Sequence, residues 1–163
     1  MEFIGKGRES AEAIEDDRCL YRGLVWGDLP AAWLTAKSLM ERRKAERRKA
    51  EELSYATAFN CGLCLYRLGE YEKALTELKL AEQSLGSAPD FDVSDRKRLT
   101  QALSAAGKEA GLLPLDPESG KKLARYGQIR IKWLMALCLL ALGRQQEASL
   151  CVRFLRQYQI ELL

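Results

Sequence analysis

The chain predicts an all-α fold of stacked helical hairpins, and three observations carry that prediction. One phrase recurs: Asn60 to Leu78 reads N-C-G-L-C-L-Y-R-L-G-E-Y-E-K-A-L-T-E-L, and its core, a Gly followed five residues later by an Ala (Gly69/Ala74), returns at Gly27/Ala32 and Gly143/Ala148. An internal repeat of this kind is the mark of supersecondary units that bury their apolar faces on one another. The composition is the second observation: Ala, Leu, Glu, Lys, Arg and Gln dominate, and only four prolines occur, which favours helix. The third is that no segment alternates with period two over more than a few residues, so no strand is expected.

The elements follow in order. The first ten residues, with Gly5 and Gly7, read as frayed, and Ser10 as the N-cap of a helix running to about Trp26. Ile14, Leu20, Leu24 and Val25 share its apolar face, and Gly27 ends it. Asp28 caps a second helix with Pro30 in its first turn. That helix carries Trp33, Leu34, Leu39 and Met40 and continues through a charged stretch to about Glu52. A third helix spans Ser54 to Gly69 and a fourth Tyr71 to about Leu85. Gly86 to Asp92 is a loop. Asp92 or Ser94 caps a fifth helix, about Val93 to Ala106, with Leu99 and Leu103 on one face. Gly107, Gly111 and Pro114 break the chain, and Asp116-Pro117 signals a new helix start. Helix then continues to Leu142, with breaks possible at Gly120 or Gly127. Gly143 turns the chain, and a last helix runs to about Ile160.

Size and charge narrow the function classes. With 163 residues, 47% apolar and 30% charged, the chain is one domain or one short solenoid, long enough to bury a core. A net charge of +3 is too small to imply nucleic acid. The longest apolar run, Trp133 to Leu142, has ten residues, short for a membrane span. The N-terminus has no apolar leader pattern. Five cysteines, an odd number, in a chain of this size point to a reducing, cytoplasmic setting. There is no histidine, so the commonest general base and metal ligand is missing. Asp16 and Asp17 are neighbours and diverge on a helix by about 100°. The expectation is a protein without catalysis, cofactor or metal.

Cys61-Gly62-Leu63-Cys64 has the spacing of a redox pair. It falls in mid-helix, however, where no helix N-terminus lowers a thiol pKa. Cys19 and Cys61 occupy matched repeat positions, as do Cys64 and Cys138, so they read as small apolar core residues. Glu41 to Glu52 holds six basic and four acidic residues. Its i,i+4 pairs, Arg47–Glu51 and Arg48–Glu52, suit a solvated helical extension.

The phrase Asn60 to Leu78 resembles the tetratricopeptide repeat. Gly62 and Ala74 stand at the small positions of its two helices, Gly69 in the turn and Tyr71 just after it; Leu65, Leu78 and Ala81 fill further consensus places. The third copy supplies Ala136, Leu139, Gly143, Ala148, Val152 and Leu155, with Gln145 in place of the aromatic. The first supplies Leu20, Gly23, Gly27, Leu29, Ala32, Ala36 and Leu39. The resemblance implies a short right-handed superhelix of about three hairpins, at about 10–52, 54–86 and 117–160. The turn glycines are 42 (27 to 69) and 74 (69 to 143) residues apart, against about 34 in a tight array. The first excess fits two extra helical turns. The second makes 87–116 an insertion, or 87–127 a degenerate fourth hairpin.

In that family the first helix of each hairpin lines a concave groove. Carried over, the lining is Tyr21, Phe59, Leu63, Tyr66, Arg67, Arg130, Trp133, Leu137 and Leu140. Asn60, Arg67 and Arg130 fall short of the set with which some relatives clamp a C-terminal carboxylate. The implied function is an adaptor or small chaperone that buries an apolar protein segment against Phe59, Tyr66 and Trp133, with Arg67 and Arg130 selecting acidic flanks. The groove is equally open to being filled by the chain's own Val93–Ala106 helix or its last helix. The apolar C-terminus, Phe154, Leu155, Tyr158, Ile160, Leu162 and Leu163, either packs back on the body or pairs two copies as a homodimer. No nucleic acid or membrane is expected as a partner.

Overall fold

The computed structural model describes residues 2–162, with side-chain detail from Ile14 onward except at positions 51, 120 and 121. Among the described residues there are seven α-helices and no strand: α1 (Glu2–Trp26), α2 (Leu29–Glu46), α3 (Tyr55–Arg67), α4 (Tyr71–Leu85), α5 (Val93–Ala106), α6 (Ala124–Ala141) and α7 (Gln145–Arg156). Short 3-10 turns lie at Ala50–Glu52, Lys108–Leu112 and Gly120–Leu123.

The recurring phrase is a recurring turn. Gly27, Gly69 and Gly143 each adopt φ between 73° and 78°, and each is wrapped by the same pair of hydrogen bonds. Gly69 N–H donates to Tyr66 O (3.0 Å) and Glu70 N–H to Leu65 O (2.9 Å); Gly143 to Leu140 O (3.1 Å) and Arg144 to Leu139 O (2.9 Å); Gly27 to Leu24 O (3.4 Å) and Asp28 to Gly23 O (2.8 Å). This is the Schellman closure, which satisfies the last carbonyls of one helix while its left-handed Gly reverses the chain. Asp28, Glu70 and Arg144 then share one backbone conformation as N-caps of the returning helices. Small residues mark the crossings. A methyl on Gly62 would meet Leu78 at 3.1 Å, and one on Gly23 would meet Ala32 at 3.2 to 3.3 Å. Ala136 and Ala148 are both buried.

Three hairpins, α1–α2, α3–α4 and α6–α7, stack in sequence order. α3 packs on α1 and α2, and α6 packs on α3 and α4. The core runs continuously through them: Leu20, Phe59, Leu63, Leu78, Leu134, Leu155 and Tyr158 are all fully buried. Each large apolar side chain contributes about 1.5–3 kcal/mol by leaving water. Among the described residues no helix is long and apolar enough to cross a membrane.

Three boundaries differ clearly from the sequence expectation. α1 begins at Glu2, ahead of Ser10; two glycines at about 1 kcal/mol each do not stop a helix that neighbouring Glu, Lys and Arg favour. α2 stops at Glu46 rather than Glu52, because Arg47 turns left-handed (φ 51°) and the chain must bend to start α3 at the Ser54 cap. The helical pairs Arg47–Glu51 and Arg48–Glu52 therefore have no continuous helix to form on, and Arg48 pairs with Glu46 at 2.6 Å. Asp116-Pro117 starts a turn, not a helix: the Asp116 carboxylate accepts from Glu118 N–H at 2.9 Å and its carbonyl from Ser119 N–H at 3.1 Å. The third hairpin thus begins at Ala124. Gly127 does not interrupt α6, and it is buried where the Tyr55 ring approaches.

Candidate functional site

The chain between α4 and α6 leaves the stack, forms α5, and returns across the first helices of the hairpins. Leu103 is the one buried residue of α5. Its base is tied to the C-terminal end: Arg96 donates to Gln157 Oε1 (3.0 Å) and lies over the Tyr158 ring (4.8 Å), and Arg125 Nε donates to Tyr158 Oη at 2.9 Å. Beyond Gly107 a 3-10 turn leads into Leu113–Leu115, extended chain that crosses α3 and α6.

This strap, Ala110–Leu115, is held by side chains that grip its backbone. The Asn60 carboxamide pairs with Leu115 in both directions, Nδ2 donating to O and N–H donating to Oδ1, each at 2.8 Å. Arg67 donates to Leu112 O at 3.0 Å and to Leu24 O at 3.2 Å, so it joins the strap to the end of α1. Arg130 donates to Leu113 O and, at 3.1 Å, to Tyr126 Oη. Gly111 lies on the Trp133 indole; a methyl there would come within 2.5 to 2.8 Å of ring atoms. Ala110, Gly111 and Leu115 are buried.

Arg130 is the most unusual group. Its residue is 2% exposed, and among the described residues no carboxylate pairs with it. Burial pushes its pKa below the ordinary guanidinium value, opposed by Tyr126. Its charge is met by a peptide carbonyl, a phenol and the faces of Phe59 (5.3 Å) and Tyr126 (5.6 Å). A buried cation without an acid is costly unless its donors are used, and Nε of Arg130 has no partner.

The residues implied by the repeat resemblance divide into two groups. Phe59, Arg67, Arg130 and Trp133 meet at the strap. Phe59, Leu63 and Trp133 are buried, so they do not present an open apolar floor. The segment after α5 covers these residues along α3 and α6, and Leu103 of α5 shares a cleft with Trp133. Tyr66 is half-buried and stacks edge-on with Tyr71 at 5.5 Å. Leu137 packs on the core, and Leu140 faces a cleft beside α7. Tyr21 is half-buried on α1. Asn60, Gly111, Leu112 and Leu115 complete the site. The signal for them was the run Leu112-Leu113-Pro114-Leu115, which is apolar inside a Gly/Pro-broken loop.

The cysteines carry little chemistry. Cys61, Cys64, Cys138 and Cys151 are buried and Cys19 is exposed. Burial pushes the Cys61 thiol well up, Cys64 up to about 11 and Cys138 up to about 12, far from the depressed range of reactive thiols. Cys19 departs from the expected core role: it is exposed on α1, whereas its match Cys61 is buried on α3. Among the described residues no group of three or more Cys, Asp or Glu is placed to hold a metal ion.

Fold and site together define a stack of three helical hairpins with the chain's own strap laid across α3 and α6. Comparison with family models, curated proteins and solved structures finds no match to this chain.

Proposed function

We propose that this chain is a non-catalytic protein-interaction module, similar in mode to tetratricopeptide adaptors and working in a reducing, cytoplasmic setting. Its concave face takes an extended segment of a partner, and Ala110–Leu115 holds that place in the free chain. The observation that carries this reading is the backbone-directed grip of Asn60, Arg67 and Arg130. Side chains that bind peptide groups instead of side chains accept any extended segment of suitable shape. The strap offers the two arginines only neutral carbonyls. A carboxylate in their place makes a charge-assisted bond roughly twice as strong, so a partner with an acidic group beside its apolar residues can displace the strap. Four buried free thiols support the reducing setting.

The test uses the full chain and a synthetic peptide copying Lys108–Leu113, with a free C-terminal carboxylate or an amide. The carboxylate would stand where Leu113 O meets Arg130. The expected result is that the free-acid peptide releases the Leu115 amide to hydrogen exchange at lower concentration than the amide. No change in Leu115 protection with either peptide at saturation would defeat the proposal. Self-association through the C-terminus has less support, because Leu155, Tyr158 and Ile160 are buried in the same chain.

A further inference from the structure

A second surface lies between the second helices of the first two hairpins. A cleft of about 630 Å³ opens between α2 and α4. Its floor is apolar, formed by Trp33, Met40, Leu53 and Leu80 over the buried Leu65. Lys44, Arg47, Arg48 and Lys73 surround it. Three carboxylates nearby are already engaged. Arg43 grips both oxygens of Glu77 at 2.5 and 2.7 Å, Arg48 holds Glu46 at 2.6 Å, and Lys73 holds Glu70 at 3.2 Å. Lys44 and Arg47 have no carboxylate partner among the described residues.

Arg47 adds an independent observation. It ends α2 in the left-handed conformation, φ 51° and ψ 41°. Gly or Asn takes that conformation with less strain. An arginine here carries the strain of the turn and sets a cation at the mouth of an apolar cleft. Strain held at one point is a reason to look for function there.

We propose that the α2–α4 cleft binds an acidic amphipathic helix of a partner protein. Its apolar stripe would cover Trp33 and Met40, and its carboxylates would meet Lys44 and Arg47. An apolar trough with a cationic edge matches such a helix in both chemistry and charge. A nucleic acid matches less well, since it would set phosphates against Glu46, Glu70 and Glu77 and leave the apolar floor uncovered. The cleft shares no residue with the strap site, so either proposal can fail alone.

The probe is a fluorescein-labelled synthetic helix with Leu at i, i+3, i+4 and i+7 and Glu on its other face. Its controls are the same peptide with Lys for Glu, and an oligodeoxynucleotide. By anisotropy the Glu peptide binds the full chain and the Lys peptide does not. Lys44→Glu with Arg47→Glu weakens binding about tenfold or more. Arg47→Gly weakens binding while raising the thermal midpoint, a pairing that a merely structural role for Arg47 would not produce. No binding of the Glu peptide, or unchanged binding to both variants, overturns the proposal. So does an oligonucleotide that binds as tightly as the peptide, which would mark a plain polyanion site.

Discussion

Asn60 and Leu115, 55 positions apart, pair their carboxamide and peptide groups as two strands of a ladder would. Asn60 is fully buried on α3, so neither group has water to fall back on. Replacing Asn60 with Ala leaves a buried N–H and a buried C=O without partners. Each orphan costs about 1–3 kcal/mol, and the denaturant midpoint should fall accordingly. Asn60→Asp should restore acceptance from Leu115 N–H but set a carboxylate against Leu115 O. It should therefore recover only part of the loss, and Leu115 amide exchange distinguishes the two variants.

Gly111 offers a test of the strap that spares the hairpins. Gly111→Ala forces a methyl into the Trp133 indole, and overpacking of that kind costs about 1–3 kcal/mol. Helical circular dichroism should persist while tryptophan fluorescence shifts toward that of a wetter indole. An unchanged spectrum with unchanged stability would show that the strap yields without loss.

Arg43 and Glu77 join α2 to α4 with both partners largely buried. Removing Arg43 alone strands a buried carboxylate, and breaking such pairs costs about 3–5 kcal/mol. Replacing both, Arg43→Met with Glu77→Leu, should recover most of that stability. Chemical denaturation of the two single variants and the double variant reads the coupling directly.

Thiol labelling should separate one cysteine from four. Cys19 is exposed, and the other four are buried. A disulfide reagent at neutral pH should therefore react with one thiol in the native chain, lost in Cys19→Ser. The remaining four should appear only on unfolding. Fast reaction at Cys61 or Cys64 would revive a redox reading of that pair.

Asp17 sets a pH dependence. Burial, with the neighbouring Asp16 charge adding to it, raises its carboxyl above the ordinary range. The folded chain thus binds that proton more tightly than the unfolded one. Its contribution is favourable below the unfolded carboxylate range and is lost as pH rises through the folded value. Asp17→Asn should raise the thermal midpoint at neutral pH and flatten its change across the acid range.

Much of the fold was legible because its determinants are local. Gly69 and Tyr71 lie within one turn, and a left-handed Gly followed by a helix start leaves a short-range signature that three copies reinforce. The start of α3 near Ser54 and a cap of α5 at Asp92 or Ser94 were readable for the same reason, and the structure selects Asp92. The C-terminal end of α2 and the start of α6 were not, because tertiary demands decide them. Arg47 is a fair helix former that the chain nonetheless bends, and Asp116-Pro117 is a start signal whose turn closes on itself. The site was half legible. Phe59, Arg67, Arg130 and Trp133 could be named from the repeat resemblance, and the structure places them together around the strap. What covers them, Gly111 to Leu115, depends on a return path that no periodicity records.

The strap also changes how the chain should come apart. Repeat stacks are held by nearest neighbours, so a terminal unit can fray while the rest persists. Here Arg67 ties the end of α1 to Leu112, Asn60 holds Leu115 to α3, and Arg130 holds Leu113 to α6. One segment is thereby knotted to all three hairpins, and losing any of them loosens its hold on the others. The array should melt as a single cooperative unit rather than by unzipping from an end.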